Sequence, residues 1–258
     1  MRDALSAAAV RGDAAAAKAL GERATAIGAW RQAWKGRRWA LTAHGILVEL
    51  ADGQPATCPR TGGEPVTMRF LWEDFGGAFA RAAQHCGVGV DLLMALAAIE
   101  SVALPGSLHR NACSERHEPG YLDVKRTSNK VSVGLLQTLV STARSVAGWA
   151  GYSGLTLEML RDPTISVSCG AAYLRSLWLR HNGDPVLAQA GYNAGGIYAS
   201  TLNPWHLRTY SPDRTDRFIA WYNDCHAWLL DRPDLAALPL SRDLGSGSWL
   251  ASPAADPV

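Results

Sequence analysis

Apolar positions change their period along this chain, and each change marks an element. Residues 3 to 33 are rich in alanine, with Ala7, Ala8, Ala9 and Ala14 to Ala17 among scattered charges. Alanine is the best helix former, so one or two helices are predicted here, with a break near Gly21. Trp39-Ala40-Leu41-Thr42 and Gly45-Ile46-Leu47-Val48-Glu49-Leu50 read as strands, followed by a turn at Asp52-Gly53. A Pro- and Gly-rich loop follows from Gln54 to Pro65, and Val66 to Phe70 reads as a further short strand. Residues 1 to 72 are therefore expected to form a small α+β appendage.

From Trp72 the period turns helical. Phe75, Phe79, Ala82 and Ala83 share one face, and Gly87 reads as a C-cap. Asp91 reads as the N-cap of the next helix, Asp91 to Ser101, on which Leu93, Ala97 and Glu100 share a stripe. Residues 102 to 131 form a long polar connection, and a loop of that length is more often functional than idle. Gly134 to Val146 restarts the helical pattern, and Leu155 to Leu160 is a short helical piece. Asp162-Pro163 supplies an N-cap and a first-turn proline for a helix ending near His181. Another helix starts at Val186 and runs into Gly191-Tyr192-Asn193-Ala194-Gly195. After a loop marked by Pro204 and Pro212, Thr215 to Leu230 forms a last amphipathic helix. From Asp231 the composition shifts to Pro, Ser, Gly and Ala, the signature of a weakly ordered tail. The fold class is mainly α, in three parts: residues 1–72, 73–232 and 233–258.

Composition narrows the class of protein. The 258 residues are 48% hydrophobic and 19% charged, enough for one good-sized core. A net charge of +2 calls for no nucleic-acid partner. Trp30 to Trp39 interleaves basic and aromatic residues. It reads either as a grip for a polyanion or glycan, or as a solvated segment whose Trp side chains dock on the core. The five cysteines are widely spaced with no CxxC pair, which argues against a disulfide framework. The N-terminus lacks the basic-then-apolar order of a secretory signal, and no run reaches transmembrane length. His109-x3-Cys113-x3-His117 has metal-ligand residue types but no second compact pair, so no metal and no cofactor are expected.

Glu100 is the residue with the clearest chemistry. Desolvation on an apolar face favours a neutral carboxyl group, which can then donate a proton to a leaving oxygen. Glu100-Ser101, then Ser132-x-Gly134-Leu135-Leu136-Gln137, then Gly191-Tyr192-Asn193-Ala194-Gly195 resemble, in order, the motifs of the lytic transglycosylases with the goose-type lysozyme-like fold. Asp162-Pro163 through Gly170-Ala171-Ala172-Tyr173-Leu174 is similar to that family's helix between the second and third motifs. Arg116-His117-Glu118-Pro119-Gly120-Tyr121 is similar to an insertion in its phage-type members. The resemblance covers roughly residues 75 to 230. Leu136 replaces the usual Met, a volume-conserving change, and Gly191 replaces the usual Ala.

The resemblance implies a lysozyme-like helical catalytic domain that acts on peptidoglycan glycan strands. It makes Glu100 the acid that cleaves the bond from N-acetylmuramic acid to N-acetylglucosamine, then the base toward the muramic 6-hydroxyl. Ser101, Glu118, Tyr121, Ser132, Gly134, Leu135, Gln137, Tyr192 and Asn193 match positions around the substrate. Glu118 keeps two readings: wall of the groove, ion-paired to Arg110 or Arg116, or the second carboxylate of a hydrolytic lysozyme. An inactive wall-binding or virion structural protein is the alternative from another class. The missing secretory signal leads to an expectation of delivery to the wall by a phage particle, holin-type release or a secretion machine, with residues 1–72 as the attachment part.

Overall fold

The computed structural model describes residues 4–49, 54–101 and 114–244. Helices dominate, as expected, and two small three-stranded antiparallel sheets accompany them. The chain gathers into two compact units, and neither is one continuous stretch. Residues 4–65 group with 189–236, and residues 66–188 group with 237–244. The Pro185–Ala194 helix belongs in part to each.

In the first unit the alanine-rich segment forms two helices, Ala4–Val10 and Ala14–Ala26. The break falls at Gly12-Asp13, not at Gly21, because Asp13 caps the second helix through bonds of 2.9 and 3.0 Å from the Ala15 and Ala16 amides. Gly21 lies inside that helix. The strands Arg38–Thr42 and Gly45–Glu49 pair antiparallel as expected, with Trp39 opposite Val48 and Leu41 opposite Ile46. The expected turn at Asp52-Gly53 lies outside the described residues.

These strands are not a separate appendage. Asn223, on the Arg214–Leu230 helix, accepts from the Ile46 amide at 2.7 Å and donates to the carbonyls of Ile46 and Pro59. Its neighbour Asp224 is buried and pairs with Arg60 at 2.8 Å. A buried carboxylate needs such a partner. The boundary expected at residue 72 therefore does not follow the packing. Sequence separation hides it, since about 160 residues divide Arg60 from Asp224. The basic–aromatic stretch splits in role. Trp39 is buried, its ring 6.1 Å from that of buried Trp205. Trp30 donates to Thr25 under the Arg38 guanidinium. Trp34 is exposed.

The second unit opens with a correction. Val66 to Phe70 is no strand but the first turns of the Val66–Cys86 helix. Met68, Leu71, Phe75, Phe79 and Ala82 are all buried, so the helical period simply extends back past Trp72. The next helix is Val90–Ser101, and Asp91 lies inside it rather than capping it. The Asp91 carboxylate is buried and accepts from the Ser241 amide at 2.9 Å and the Ser241 hydroxyl at 2.8 Å. Residues 237–244 of the expected tail thus pack into this unit, ending in the Ser241–Leu244 helix.

The region from 114 to 146 is only partly helical. Glu115–His117, Val131–Val133 and Thr138–Leu139 form a small sheet, and the helix starts at Val140 rather than Gly134. Val131 and Val133 suit a strand, and the positive φ values of Gly134 (77°) and Gln137 (43°) close a tight turn instead of a helical one. The Pro163–Arg180 helix begins as expected, with Asp162 accepting from the Thr164 and Ile165 amides. Val131, Val133, Val140, Leu160 and Cys169 share one apolar cluster, with Tyr121 against its edge. Burial there pushes the Cys169 thiol up to about 12, so it stays a neutral packing group.

Candidate active site

The site is built from the Val90–Ser101 helix outward. Eleven of its twelve residues are buried; Glu100 is the one that is not. A helix apolar on all sides belongs in a core, so the expected stripe is in fact a buried rod. Its last turn presents a single half-buried carboxylate. The helix has no other polar side chain at this end except Ser101, which is buried.

Ser101 joins this helix to the second motif. Its hydroxyl donates to the Leu135 carbonyl at 2.7 Å. Leu135 and Leu136 are fully buried side chains. The expectation that Leu135 lines a groove therefore changes: its side chain packs inward and its backbone oxygen anchors Ser101. Gln137 ends the turn in a left-handed conformation that few non-glycine residues adopt. Its amide nitrogen holds that geometry by donating to the Gly134 carbonyl at 2.8 Å and the Ser114 hydroxyl at 3.0 Å. Gly134 donates its own amide to the Ser114 carbonyl at 2.9 Å. At φ 77° Gly134 is where only glycine sits without strain.

Ser132 brings in the polar connection. It lies opposite Arg116 in the antiparallel pair, and its hydroxyl donates to the Glu118 carboxylate at 2.9 Å. Arg116 faces the same carboxylate oxygen at 3.7 Å. Glu118 follows directly on the Glu115–His117 strand, two residues after Arg116, and the three side chains Arg116, Glu118 and Ser132 meet in a triangle. Arg110, the other partner considered for Glu118, lies outside the described residues, as do His109 and Cys113. Tyr121 stacks on His117 at 3.7 Å between ring centroids, with its amide donating to the Glu118 carbonyl. Among the described residues no group of three or more His, Cys, Asp or Glu side chains could hold a metal ion.

One unit thus contains Glu100, Ser101, Glu118, Tyr121, Ser132, Gly134, Leu135 and Gln137. Tyr192 and Asn193 stand on the last turn of the Pro185–Ala194 helix, within the other unit. Tyr192 is buried. Asn193 accepts from the Tyr210 amide at 2.6 Å and so fixes the chain after the motif.

Two residues were given no role of their own by the sequence reading. Ser114 holds both Gly134 and Gln137, and nothing in its local sequence distinguishes it from loop filler. Gly170 lies inside the Pro163–Arg180 helix. A Cβ there would come within 2.5 Å of Leu136 Cδ1 and 2.9 Å of Thr138 Oγ1, so the helix seats directly under the turn. A glycine inside a helical pattern was the available signal.

A family model described as the transglycosylase SLT domain matches residues 77–215. The chain belongs to the transglycosylase SLT family. The match takes in every motif from Glu100 to Asn193. The mainly α fold class stands too. Among solved structures the chain is similar to an inactive mutant of the lytic transglycosylase Slt from Pseudomonas aeruginosa, at 20% identity and a TM-score of 0.36. That similarity covers 62% of this chain, which spans only 24% of the Slt chain. No curated protein matches the SLT chain described here. Among its described residues no helix is long and apolar enough to cross a membrane.

Proposed function

We propose that this SLT-family chain is a peptidoglycan lytic transglycosylase with Glu100 as its one acid–base group. The observation that carries the reading is the placement of Glu100. It is the sole unburied residue of a core helix whose end is bonded, through Ser101, to the Ser132–Gln137 turn. A carboxyl group held on so rigid an element suits repeated proton transfer.

Glu100 first protonates the oxygen between muramic C1 and the N-acetylglucosamine leaving group, and the C1–O bond breaks. The resulting carboxylate then takes the proton of the muramic 6-hydroxyl, whose oxygen bonds to C1. Glu100 returns to its starting state and no water is consumed. The substrate supplies the nucleophile, so a second carboxylate has no task. Glu118 fits that scheme, because its carboxylate is already engaged by Ser132 and Arg116. We assign it, with Tyr121 and Ser132, to the wall beside the sugar. Gln137, its nitrogen committed to the turn, offers its carbonyl oxygen to a sugar hydroxyl. Tyr192 and Asn193 are assigned by their motif.

Mass analysis of muropeptides released from purified peptidoglycan tests the reaction. Anhydro ends, one water lighter, are expected; reducing ends would make the enzyme a hydrolytic lysozyme and return Glu118 to the chemistry. Glu100→Gln is expected to lower release by about 10²–10⁴-fold, the usual weight of a general acid. Undiminished release by this variant would remove Glu100 from the mechanism.

A further inference from the structure

The exposed Trp34 has no part in the site described above, yet it lines a depression of about 430 Å³ together with Ala199, Ser200, Thr201, Leu202 and His206. All six residues belong to one unit. Trp34 is 48% exposed and Leu202 is 81% exposed, the latter the most exposed large apolar side chain among the described residues. We propose that this depression is an accessory glycan-binding site that takes an N-acetylhexosamine unit of a glycan strand, with Trp34 as its stacking platform.

The walls are prearranged. The loop that carries five of the six residues is closed by a bridge between Ala199 and Leu207, and by the Ser200 amide donating to the His206 carbonyl at 3.0 Å. Asn203 braces it from within, donating to the Leu207 carbonyl at 2.6 Å and accepting from the Trp205 amide at 3.0 Å. Trp205 is fully buried and roots the loop against Trp39. The Trp34 segment is bound to that loop at three places. The Trp34 carbonyl lies 2.7 Å from His206 Nδ1, and the Arg37 amide donates to the Pro204 carbonyl at 2.8 Å. Gly36 packs so close that a Cβ would lie 2.2 Å from the Trp205 carbonyl oxygen.

Backbone strain gathers at the same place. Trp34, Lys35 and His206 have φ values of 43°, 62° and 54°. Three of the five non-glycine residues at positive φ among the described residues thus adjoin one depression. Such strain persists where surrounding bonds over-determine it, and it collects at ligand sites.

The lining chemistry selects the ligand. Among the described residues no carboxylate, guanidinium or ammonium lines the depression, so its chemistry is that of a neutral ligand. An indole face suits the C–H face of a pyranose ring, and Ala199 and Leu202 suit an acetamido methyl. The hydroxyls of Ser200 and Thr201 and the imidazole of His206 supply donors and acceptors for sugar hydroxyls. The volume falls within the range of small-ligand sites. This inference rests on the peptidoglycan reading only for the natural source of the sugar.

The test uses the full chain carrying Glu100→Gln and labelled with 5-fluorotryptophan, with N-acetylglucosamine tetramer as probe. The fluorine resonance absent from a Trp34→Phe variant belongs to Trp34. On titration that resonance is expected to shift saturably. Thr201→Arg, an exposed position that fills the depression, should abolish the shift and leave the melting temperature unchanged. Trp34→Ala should weaken cosedimentation with insoluble peptidoglycan by at least about fivefold. A Trp34 resonance that stays still at millimolar tetramer, or that moves equally in the Thr201→Arg variant, overturns the proposal. If the unmutated chain releases no muropeptides while the Trp34 resonance still shifts, the catalytic reading fails and the accessory site stands.

Discussion

Ser101 and Glu100 are adjacent and differ in burial: Ser101 is buried and bonded to Leu135, whereas Glu100 is half-buried. The pair of letters alone does not say which does which, because both are polar and both end a helix. The decision comes from the Leu135 carbonyl, which lies 2.7 Å from the Ser101 hydroxyl and needs a donor once buried. Ser101→Ala leaves that carbonyl unpaired. It should cost about 1–3 kcal/mol, seen as a fall of the melting temperature by several degrees, and slow muropeptide release although Glu100 is intact. If both melting temperature and rate match those of the parent, the Ser101 bond is incidental. Leu135 teaches the converse: a motif position matched to the substrate turns out to contribute its backbone, with its side chain in the core.

The Pro163–Arg180 helix was legible from its cap and its period, but its reason for existing in this register was not. It supports the turn that presents Gln137, and Gly170 is the point of contact. Gly170→Ala sets two effects against each other. Alanine gains about 1 kcal/mol in helix propensity, whereas overpacking costs about 1–3 kcal/mol. Leu136 is fully buried and cannot swing away, so overpacking should win. The variant should unfold at lower urea concentration and turn over more slowly as the Gln137 turn shifts. A higher urea midpoint would mean that the turn yields freely. The polar connection is the element least visible in sequence. Glu115–His117 becomes a strand only because Val131–Val133 lies beside it, and three-residue strands carry no periodicity to read.

Each unit is discontinuous in sequence, so its stability is shared between distant segments. The Gly45–Glu49 strand and the loop at Pro59 and Arg60 satisfy the polar side chains of Asn223 and Asp224. Removal of residues 1–65 would strip those partners, and Trp39 with them, from the 189–236 part of the same unit. The remaining chain should aggregate or melt far below the full chain, measured by solubility and circular dichroism. A soluble remainder with the parent's melting temperature would restore the reading of residues 1–72 as a detachable appendage.

By itself the sequence determined the mainly α class, the caps at Asp162 and Gly87, the strand pair of residues 38 to 49, and the ordered motifs that single out Glu100. These are local: helix period, cap chemistry and motif spacing act within a few residues of one another. Tertiary structure alone decided that Glu100 is the unburied residue of a core helix and that Ser101 and Leu135 work from the inside. It also decided that Glu118 is held by Ser132 and Arg116, and that the N-terminal strands share a unit with a helix far along the chain. Those outcomes depend on which distant backbone groups and charges meet when water is excluded, and no spacing along the chain encodes that meeting.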